Sequence, residues 1–361
     1  MAAGASEGKV KVEHGAHDLP VFSVRTDVPK IARAPLSEAM SAHLAEAATF
    51  YACVPEGAAF HETRAAYDAM SRHFSGRRPA GISIHDTTIP RPPETLAHAS
   101  PLGLRIYRSQ LETSSLPSPA VLYLHGGGFA LGDLESHDTI AADLCAKTGV
   151  SVVAVDYARV PEFQFPAALE DTLTAWHWLG ENAKALNIDA TRMAVGGDSC
   201  GATLAANLAH VASANSCIPP PAGQLLIYPV LGIDFDTCSY LANAAAPNLT
   251  RDDMIACWTA YLPSDIDAQA KSQGVPNLTF VSPGLAPAAI LTAAHDPVCD
   301  DGSVYATRLG HAGIPTAFRC DARLPHGHLR ARHADATAAD AFDWVCAALQ
   351  LLVRGRNEDC S

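Results

Sequence analysis

Ser199 stands in a pattern that suits a nucleophile. The sequence around it reads Gly197-Asp-Ser199-Cys-Gly201, after a short apolar run and before small residues that favour a helix. A serine between two glycines at this spacing is typical of a sharp strand-to-helix turn that projects the hydroxyl from the end of a sheet. The glycines let neighbouring backbone approach without a Cβ clash, and the N–H groups of the helix start lie where negative charge develops. The pattern predicts covalent catalysis by Ser199.

A glycine run upstream could hold that negative charge. One histidine and three glycines occupy 125–128, directly after the apolar run 121–124, which we predict to be a strand. Glycines at a strand end expose backbone N–H groups that no side chain covers, as in the oxyanion loops of hydrolases with this kind of turn. We expect the N–H groups of Gly127, Gly128 and Cys200 to stabilise a tetrahedral intermediate.

A serine hydroxyl also needs a base, and the base needs an acid that orients it. In enzymes with this turn, the acid and then a histidine follow the serine along the chain. Asp296 comes directly after the predicted strand 288–294, where such an acid belongs. Asp300 and Asp301 are rivals further along, at a predicted helix start where capping explains them.

Two histidines compete for the role of base. His326 and His328 both follow the predicted strand 316–320 and could both reach the serine. A lone histidine is often a satisfied surface or core group, so position must decide between them. The residues alone leave this choice open.

These side chains can come together only if the strands that precede them end at the same edge of one sheet. Apolar segments alternate with helical ones from residue 81 onward, which predicts an α/β fold with a doubly wound, mostly parallel sheet. The predicted strands are 81–85, 104–107, 121–124, 150–155, the run before Ser199, 225–228, 288–294 and 316–320. The predicted helices are 136–147, ended by Gly149, then 165–185, the segment after Ser199, and 336–353.

The remaining segments predict a cap over the carboxyl edge of the sheet. Residues 1–35 are polar and irregular, whereas 36–79 carry two helical patterns with no strand between them. Residues 233–281 interrupt the strand-helix alternation with a helix-like segment at 254–262. We predict an N-terminal arm (1–35), cap helices (36–79), a catalytic domain (80–353) with a cap insertion (233–281), and a polar tail (354–361).

Composition limits the partners. The net charge of −13 repels phosphate backbones, so we expect no nucleic acid partner. No apolar run reaches membrane-spanning length, and the N-terminus lacks the pattern of a secretory signal. The ten cysteines form no Cys-x-x-Cys pair and the sixteen histidines are dispersed, so we expect free thiols, no metal or cofactor, and a cytoplasmic location. A homodimer is left open.

The chain resembles the hormone-sensitive lipase family of α/β-hydrolase esterases, and bacterial acetyl-esterase-type enzymes within it. The motifs that match are 125–138 (beginning His-Gly-Gly-Gly-Phe), Asp-Tyr at 156–157 with Pro-Glu at 161–162, Phe-Pro-Ala at 165–167, Gly-Gly-Asp-Ser-x-Gly at 196–201, Asp-Pro at 296–297 and His-Gly at 326–327. In this family the catalytic histidine precedes a glycine and then usually an aromatic residue. The resemblance therefore implies that His326 is the base and that His328 replaces the aromatic residue.

Two further departures from the family concern Cys200, where alanine is usual, and the segment 156–162, which we interpret as structural. The oxyanion donor at 200 is backbone, so a cysteine is tolerable, although a thiol beside the nucleophile predicts sensitivity to thiol reagents.

The sequence thus predicts a serine carboxylesterase that hydrolyses short-chain acyl esters through Ser199, His326 and Asp296 and an acyl-enzyme. An amidase or a deacylase of a specialised metabolite would use the same residues. A non-catalytic small-molecule receptor on this scaffold, like the plant hormone receptors that lack the catalytic histidine, is the more distant alternative.

Overall fold

Eight strands form one sheet in the computed structural model, which describes residues 22, 33–55, 57–97, 99–110 and 116–354. The strands are β1 (Ile82–Ile89), β2 (Leu102–Ser109), β3 (Ser118–Leu124), β4 (Ser151–Asp156), β5 (Ile188–Asp198), β6 (Gln224–Ile227), β7 (Ala288–His295) and β8 (Thr316–Pro325). Their spatial order is β1-β2-β4-β3-β5-β6-β7-β8. Strand β2 runs antiparallel to β1 and β4, and all other pairs are parallel. The predicted mostly parallel α/β sheet is confirmed.

Ten α-helices accompany the sheet in the described ranges. They are α1 (Glu38–Thr49), α2 (Phe60–Phe74), α3 (Asp138–Thr148), α4 (Ala167–Asn182), α5 (Cys200–Ala214), α6 (Cys238–Ala242), α7 (Arg251–Tyr261), α8 (Ala268–Gly274), α9 (Cys299–His311) and α10 (Ala336–Leu352). Local chemistry sets several of their ends. The Ser37 and Asp335 side chains accept hydrogen bonds from the first turns of α1 and α10. Gly149, with a φ of 72°, ends α3 in the left-handed region as predicted.

Apolar side chains are buried on both faces of the sheet. On β3, Leu122 belongs to a cluster that includes Trp176 of α4, whereas Val121 belongs to a cluster that includes Ile140 of α3 and Val345 of α10. Successive side chains on a strand point to opposite faces, so a strand covered on both sides reads as a continuous apolar run. This is why β3 was recognisable from its sequence.

Strand β8 is longer than the sequence predicts. We expected a strand over 316–320, but β8 extends to Pro325. Asp321 and Arg323 interrupt the apolar pattern there, and an edge strand tolerates them because Arg323 is exposed and Asp321 pairs with Arg319. His326 therefore follows a strand end directly instead of lying out on a loop.

Five of the described helices lie in the two segments that we predict to form the cap. Helices α1 and α2 lie within 36–79, and α6, α7 and α8 lie within 233–281. The predicted arm (1–35) and tail (354–361) lie almost wholly outside the described residues, and the domain boundaries stay predictions. None of the helices in the described ranges combines the length and apolar character needed to cross a bilayer.

A buried ion pair joins the segment after β1 to helix α4. The Arg91 side chain, which follows β1, makes a bidentate contact of 2.6 and 2.8 Å with the Asp171 carboxylate on α4. The Ala158 N–H donates to the same carboxylate at 2.7 Å. The two charged side chains are only 6% and 0% exposed, so neither can turn to water if the other is removed.

Replacing Asp171→Ala should lower the free energy of unfolding by about 3 kcal/mol, because the Arg91 charge stays buried without its partner. Urea denaturation would measure this change. The control is Asp343→Ala, which removes a half-exposed contact with Lys147 and should cost less than about 0.5 kcal/mol. Equal losses in the two variants would contradict the assignment.

Candidate active site

The backbone at Ser199 forms a tight turn between β5 and α5. Ser199 has a φ of 56°, which side-chain-bearing residues rarely adopt. A Cβ atom on Gly197 would lie 2.4 Å from the Leu124 carbonyl oxygen, and one on Gly201 would lie 2.0 Å from it. Only glycine fits at either position, because the end of β3 passes directly against the turn. The Ser199 N–H donates to the Ile227 carbonyl at 2.9 Å, which fixes the turn to β6.

Ser199, His326 and Asp296 form a continuous hydrogen-bonded line. His326 Nε2 lies 2.8 Å from Ser199 Oγ, and His326 Nδ1 lies 2.7 Å from Asp296 Oδ2. The Asp296 side chain is buried directly after β7, and its Oδ1 accepts the Val298 N–H at 3.0 Å. A carboxylate only accepts hydrogen bonds, so His326 Nδ1 carries the proton and Nε2 is free to accept one from Ser199. This arrangement can activate a hydroxyl.

The two rival acids, Asp300 and Asp301, make hydrogen bonds outside the catalytic line. Asp301 accepts the Leu231 and Gly232 N–H groups at 2.9 Å, and Asp300 accepts the Ser239 N–H at 2.8 Å. Burial raises the pKa of Asp301 to about 7. The expectation that these carboxylates cap their own helix is wrong, since they hold the segment after β6 to the start of α9.

The rival base is also occupied elsewhere. His328 is buried, and its Nδ1 donates to the Pro325 carbonyl at 2.9 Å. Its ring packs against Tyr228, with centroids 4.9 Å apart. Burial lowers the pKa of His328 to about 4, so the ring is neutral near pH 7. His328 therefore fills the place of a packing residue, as the family resemblance implied.

The glycine loop borders the serine. Gly127 and Gly128 have φ values of 130° and 60°, and a Cβ atom on Gly127 would lie 2.2 Å from the Leu131 carbonyl oxygen. Gly127, Gly128, Ser199 and Cys200 lie on the wall of one cavity, as the expected donor set requires. The loop thus needs glycine for its backbone path as well as for exposed N–H groups.

The Cys200 thiol has a structural contact that the sequence did not indicate. It is buried beneath the loop and accepts the Phe129 N–H at 3.1 Å. Burial raises the pKa of Cys200 to about 11, so little reactive thiolate is present near neutral pH. The expected sensitivity to thiol reagents has no structural basis at this residue.

The cavity above Ser199 holds about 620 Å³ and is roofed by helices. Side chains of α1, α2 and α7 line it, including Leu44, Tyr67 and Met254. Hydrogen bonds of 2.7 to 2.9 Å tie the roof to the segments below, among them Asn248 Nδ2 to the His326 carbonyl, Arg330 to Tyr67 Oη, and Arg64 to the Ala130 carbonyl. Among the described residues, no three His, Cys, Asp or Glu side chains are grouped as a metal site requires.

Two polar residues beside the triad escaped the sequence analysis. Asp198 precedes the nucleophile and is buried, and Tyr228 follows β6 with its ring 4.8 Å from that of His326. The Tyr228 hydroxyl donates to Asp198 at 3.2 Å. Both residues stand next to recognisable elements, but nothing in their spacing predicts that their side chains meet.

His328→Phe should make the protein less sensitive to acid. The unfolded chain binds a proton to His328 near pH 6.5 and the folded chain only near pH 4, so stability falls as the pH drops through this window. Phenylalanine removes this loss, which amounts to about 2 kcal/mol between pH 7 and 5. Urea denaturation at both pH values would measure it, with the exposed His311→Phe as an unchanged control. If the free energy of unfolding falls equally between pH 7 and 5 in the parent and in His328→Phe, this account is refuted.

Comparisons with known proteins identify the family of the chain. A family model described as alpha/beta hydrolase fold matches residues 121–330. Ethyl acetate hydrolase of Pseudomonas putida is 33% identical over 80% of this chain and 89% of its own length. Carboxylesterase NlhH of Mycobacterium tuberculosis is 37% identical over 69% of this chain and 78% of its own.

A solved structure shares the whole architecture. The hyperthermophilic esterase of the archaeon Pyrobaculum calidifontis is 28% identical, has a TM-score of 0.78, and is matched over 89% of this chain and 100% of its own. The family model and the two sequence relatives each cover more than half of the chain. The chain therefore belongs to the α/β-hydrolase family, in its hormone-sensitive-lipase-like branch, and is an enzyme of that family, a carboxylic ester hydrolase.

Proposed function

We propose that this hydrolase is a serine carboxylesterase for short-chain acyl esters, with Ser199 as nucleophile, His326 as base and Asp296 as orienting acid. The observation that carries the proposal is the hydrogen-bonded line of 2.8 and 2.7 Å through these three side chains. The preference for short acyl chains rests on the family resemblance and on a relative named for ethyl acetate.

The reaction proceeds in two halves. Ser199 Oγ attacks the ester carbonyl carbon while His326 Nε2 takes the hydroxyl proton, and the N–H groups of Gly127, Gly128 and Cys200 stabilise the oxyanion. The tetrahedral intermediate expels the alcohol, which receives the proton from His326, and an acyl-enzyme remains. Water then attacks with the same proton transfers and releases the acid. Asp296 stabilises the imidazolium in both halves without becoming protonated.

The two alternative functions, a non-catalytic receptor and an amidase or deacylase, differ in how far they remain supported. A non-catalytic receptor loses support because the relatives are named as hydrolases and the base is present. An amidase or metabolite deacylase would need the same nucleophile and oxyanion donors, so substrate tests must separate it from an esterase.

Our proposals for location and partners rest on chemistry outside the site. Nine cysteines in the described residues are free thiols, which fits the proposed reducing, cytoplasmic location. The net charge of −13 favours a small-molecule ester over nucleic acid as the partner.

Ser199→Ala should fold normally and lose a factor of about 10⁶ in turnover of p-nitrophenyl acetate, because the nucleophile is gone. An organophosphate should label one serine of the parent, identified by peptide mass spectrometry as Ser199. His328→Phe, measured in the same assay, should remain active. Stoichiometric labelling of any other serine would disprove the assignment.

A series of p-nitrophenyl esters tests the substrate class. The value of kcat/KM should be highest for acyl chains of about two to four carbons and fall as the chain grows, since each further methylene needs matching apolar volume. The anilide of the best acyl group serves as the amide comparison and should react far more slowly. A maximum at long chains, or faster anilide cleavage, would reject the short-chain esterase.

A further inference from the structure

A buried carboxylate beside the nucleophile has no place in the mechanism above. Asp198 is 4% exposed and stands one residue before Ser199. Its Oδ1 accepts the Tyr123 hydroxyl at 2.9 Å and the Gly126 N–H at 3.1 Å. Its Oδ2 accepts the Tyr228 hydroxyl at 3.2 Å and lies 3.5 Å from His137 Nε2. A buried carboxylate with this many donors has a defined position.

One contact of Asp198 reaches the oxyanion loop directly, at the Gly126 N–H. Gly126 is the first glycine of that loop, and a Cβ atom there would lie 2.6 Å from Asp198 Oδ2. The loop therefore rests directly on the carboxylate. Because Asp198 and Ser199 are joined by one peptide bond, the loop is bonded to the residue that directly precedes the nucleophile.

The loop needs an anchor from outside itself. Three consecutive residues, 127–129, have positive φ, and two of them are glycines with no side chain to hold them. Three described side chains from outside the loop bond to the backbone of 125–129: the Asp198 carboxylate at the Gly126 N–H, the Tyr157 hydroxyl at the His125 carbonyl, and the Cys200 thiol at the Phe129 N–H. An oxyanion donor works only within about 2.7–3.1 Å of the developing charge, so a small displacement of the loop has a large effect on rate.

The carboxylate is ionised where it lies. Burial by itself raises the pKa of Asp198, but the His137 imidazole and the donated hydrogen bonds outweigh burial and hold that pKa below its usual value. The acceptor for Gly126 is therefore a charged oxygen at neutral pH, which makes the bond stronger than one between neutral groups.

We propose that Asp198 is a positioning residue that acts through the Gly126 N–H to hold the oxyanion loop in register with Ser199. This rests on the proposed function, since it assigns the donors of that loop a role in ester hydrolysis.

The test compares Asp198→Ala with Asp198→Asn. The asparagine oxygen can take the Oδ1 position and keep the Gly126 bond, while its NH₂ group faces the Tyr228 hydroxyl and His137 Nε2. The hydroxyl can accept, and Nε2 can accept once the ring proton sits on Nδ1, which lies 2.9 Å from Ser136 Oγ. Asp198→Ala should lower kcat for p-nitrophenyl acetate by about 30- to 100-fold with KM changed less than about threefold. Asp198→Asn should stay within about tenfold of the parent.

A transition-state analogue gives a second readout. A trifluoromethyl ketone adds to Ser199 Oγ and places its oxygen at the oxyanion position, so its Ki reports the donors directly. The Ki should rise in Asp198→Ala by the same factor by which kcat/KM falls. Asp171→Ala is the matched control, because it also removes a buried, bonded carboxylate but one that makes no hydrogen bond to the loop itself, and it should leave kcat and Ki unchanged.

Three outcomes overturn the proposal: an unchanged Ki in Asp198→Ala, a kcat within about threefold of the parent in that variant, or an asparagine variant as impaired as the alanine variant. If circular dichroism shows that Asp198→Ala does not fold, Asp198→Asn decides alone, and a loss beyond about tenfold rejects the proposal. If the parent protein is inactive or its serine is not labelled, the proposed esterase function is refuted. If the parent is active but Asp198→Ala leaves kcat and Ki unchanged, only the positioning role of Asp198 is refuted.

Discussion

The contact between the nucleophile turn and the end of β3 constrains the whole site. The Leu124 carbonyl occupies the space that side chains at Gly197 and Gly201 would need, so the turn can pack there only as glycine-serine-glycine backbone. Leu124 is also the last residue of β3, and the glycine loop begins one residue later. One packing contact therefore brings the nucleophile and the oxyanion loop together. The acid and the base reach the same edge because β7 and β8 run parallel to β5 and β6.

The sequence could predict those site residues whose positions depend only on their order in the chain and on the ends of recognisable strands. Ser199 was recognisable from its glycines, and Asp296 from its place after an apolar strand. The choice between His326 and His328 needed the family resemblance, because residues two apart on an unassigned segment give no side-chain direction. The structure supplies the direction: β8 continues to Pro325, and the His328 ring turns back to the carbonyl of that residue.

What the sequence could not predict consists of bonds between distant segments. Asp198 meets Gly126 and Tyr228 across 72 and 30 residues, and the Cys200 thiol meets Phe129 across 71. No periodicity or motif spacing encodes such pairs, because they depend on how strands are ordered in the sheet. The capping role predicted for Asp300 and Asp301 was wrong for the same reason. A cap is a local contact, whereas their actual partners lie about 60 to 70 residues away in the chain.

The roof of the cavity is fastened differently from its floor. The floor belongs to the sheet edge and is fixed by strand pairing. Helix α2 and the segment before α7 are held to the segments below by side-chain hydrogen bonds of Arg64, Tyr67 and Asn248. Apolar packing adds to these bonds, because Trp258 and Tyr261 of α7 pack on Phe129 of the glycine loop. For protein engineering, a changed roof would therefore have to keep the hydrogen-bond partners of Arg64, Tyr67 and Asn248 and also the two aromatic rings that support the glycine loop.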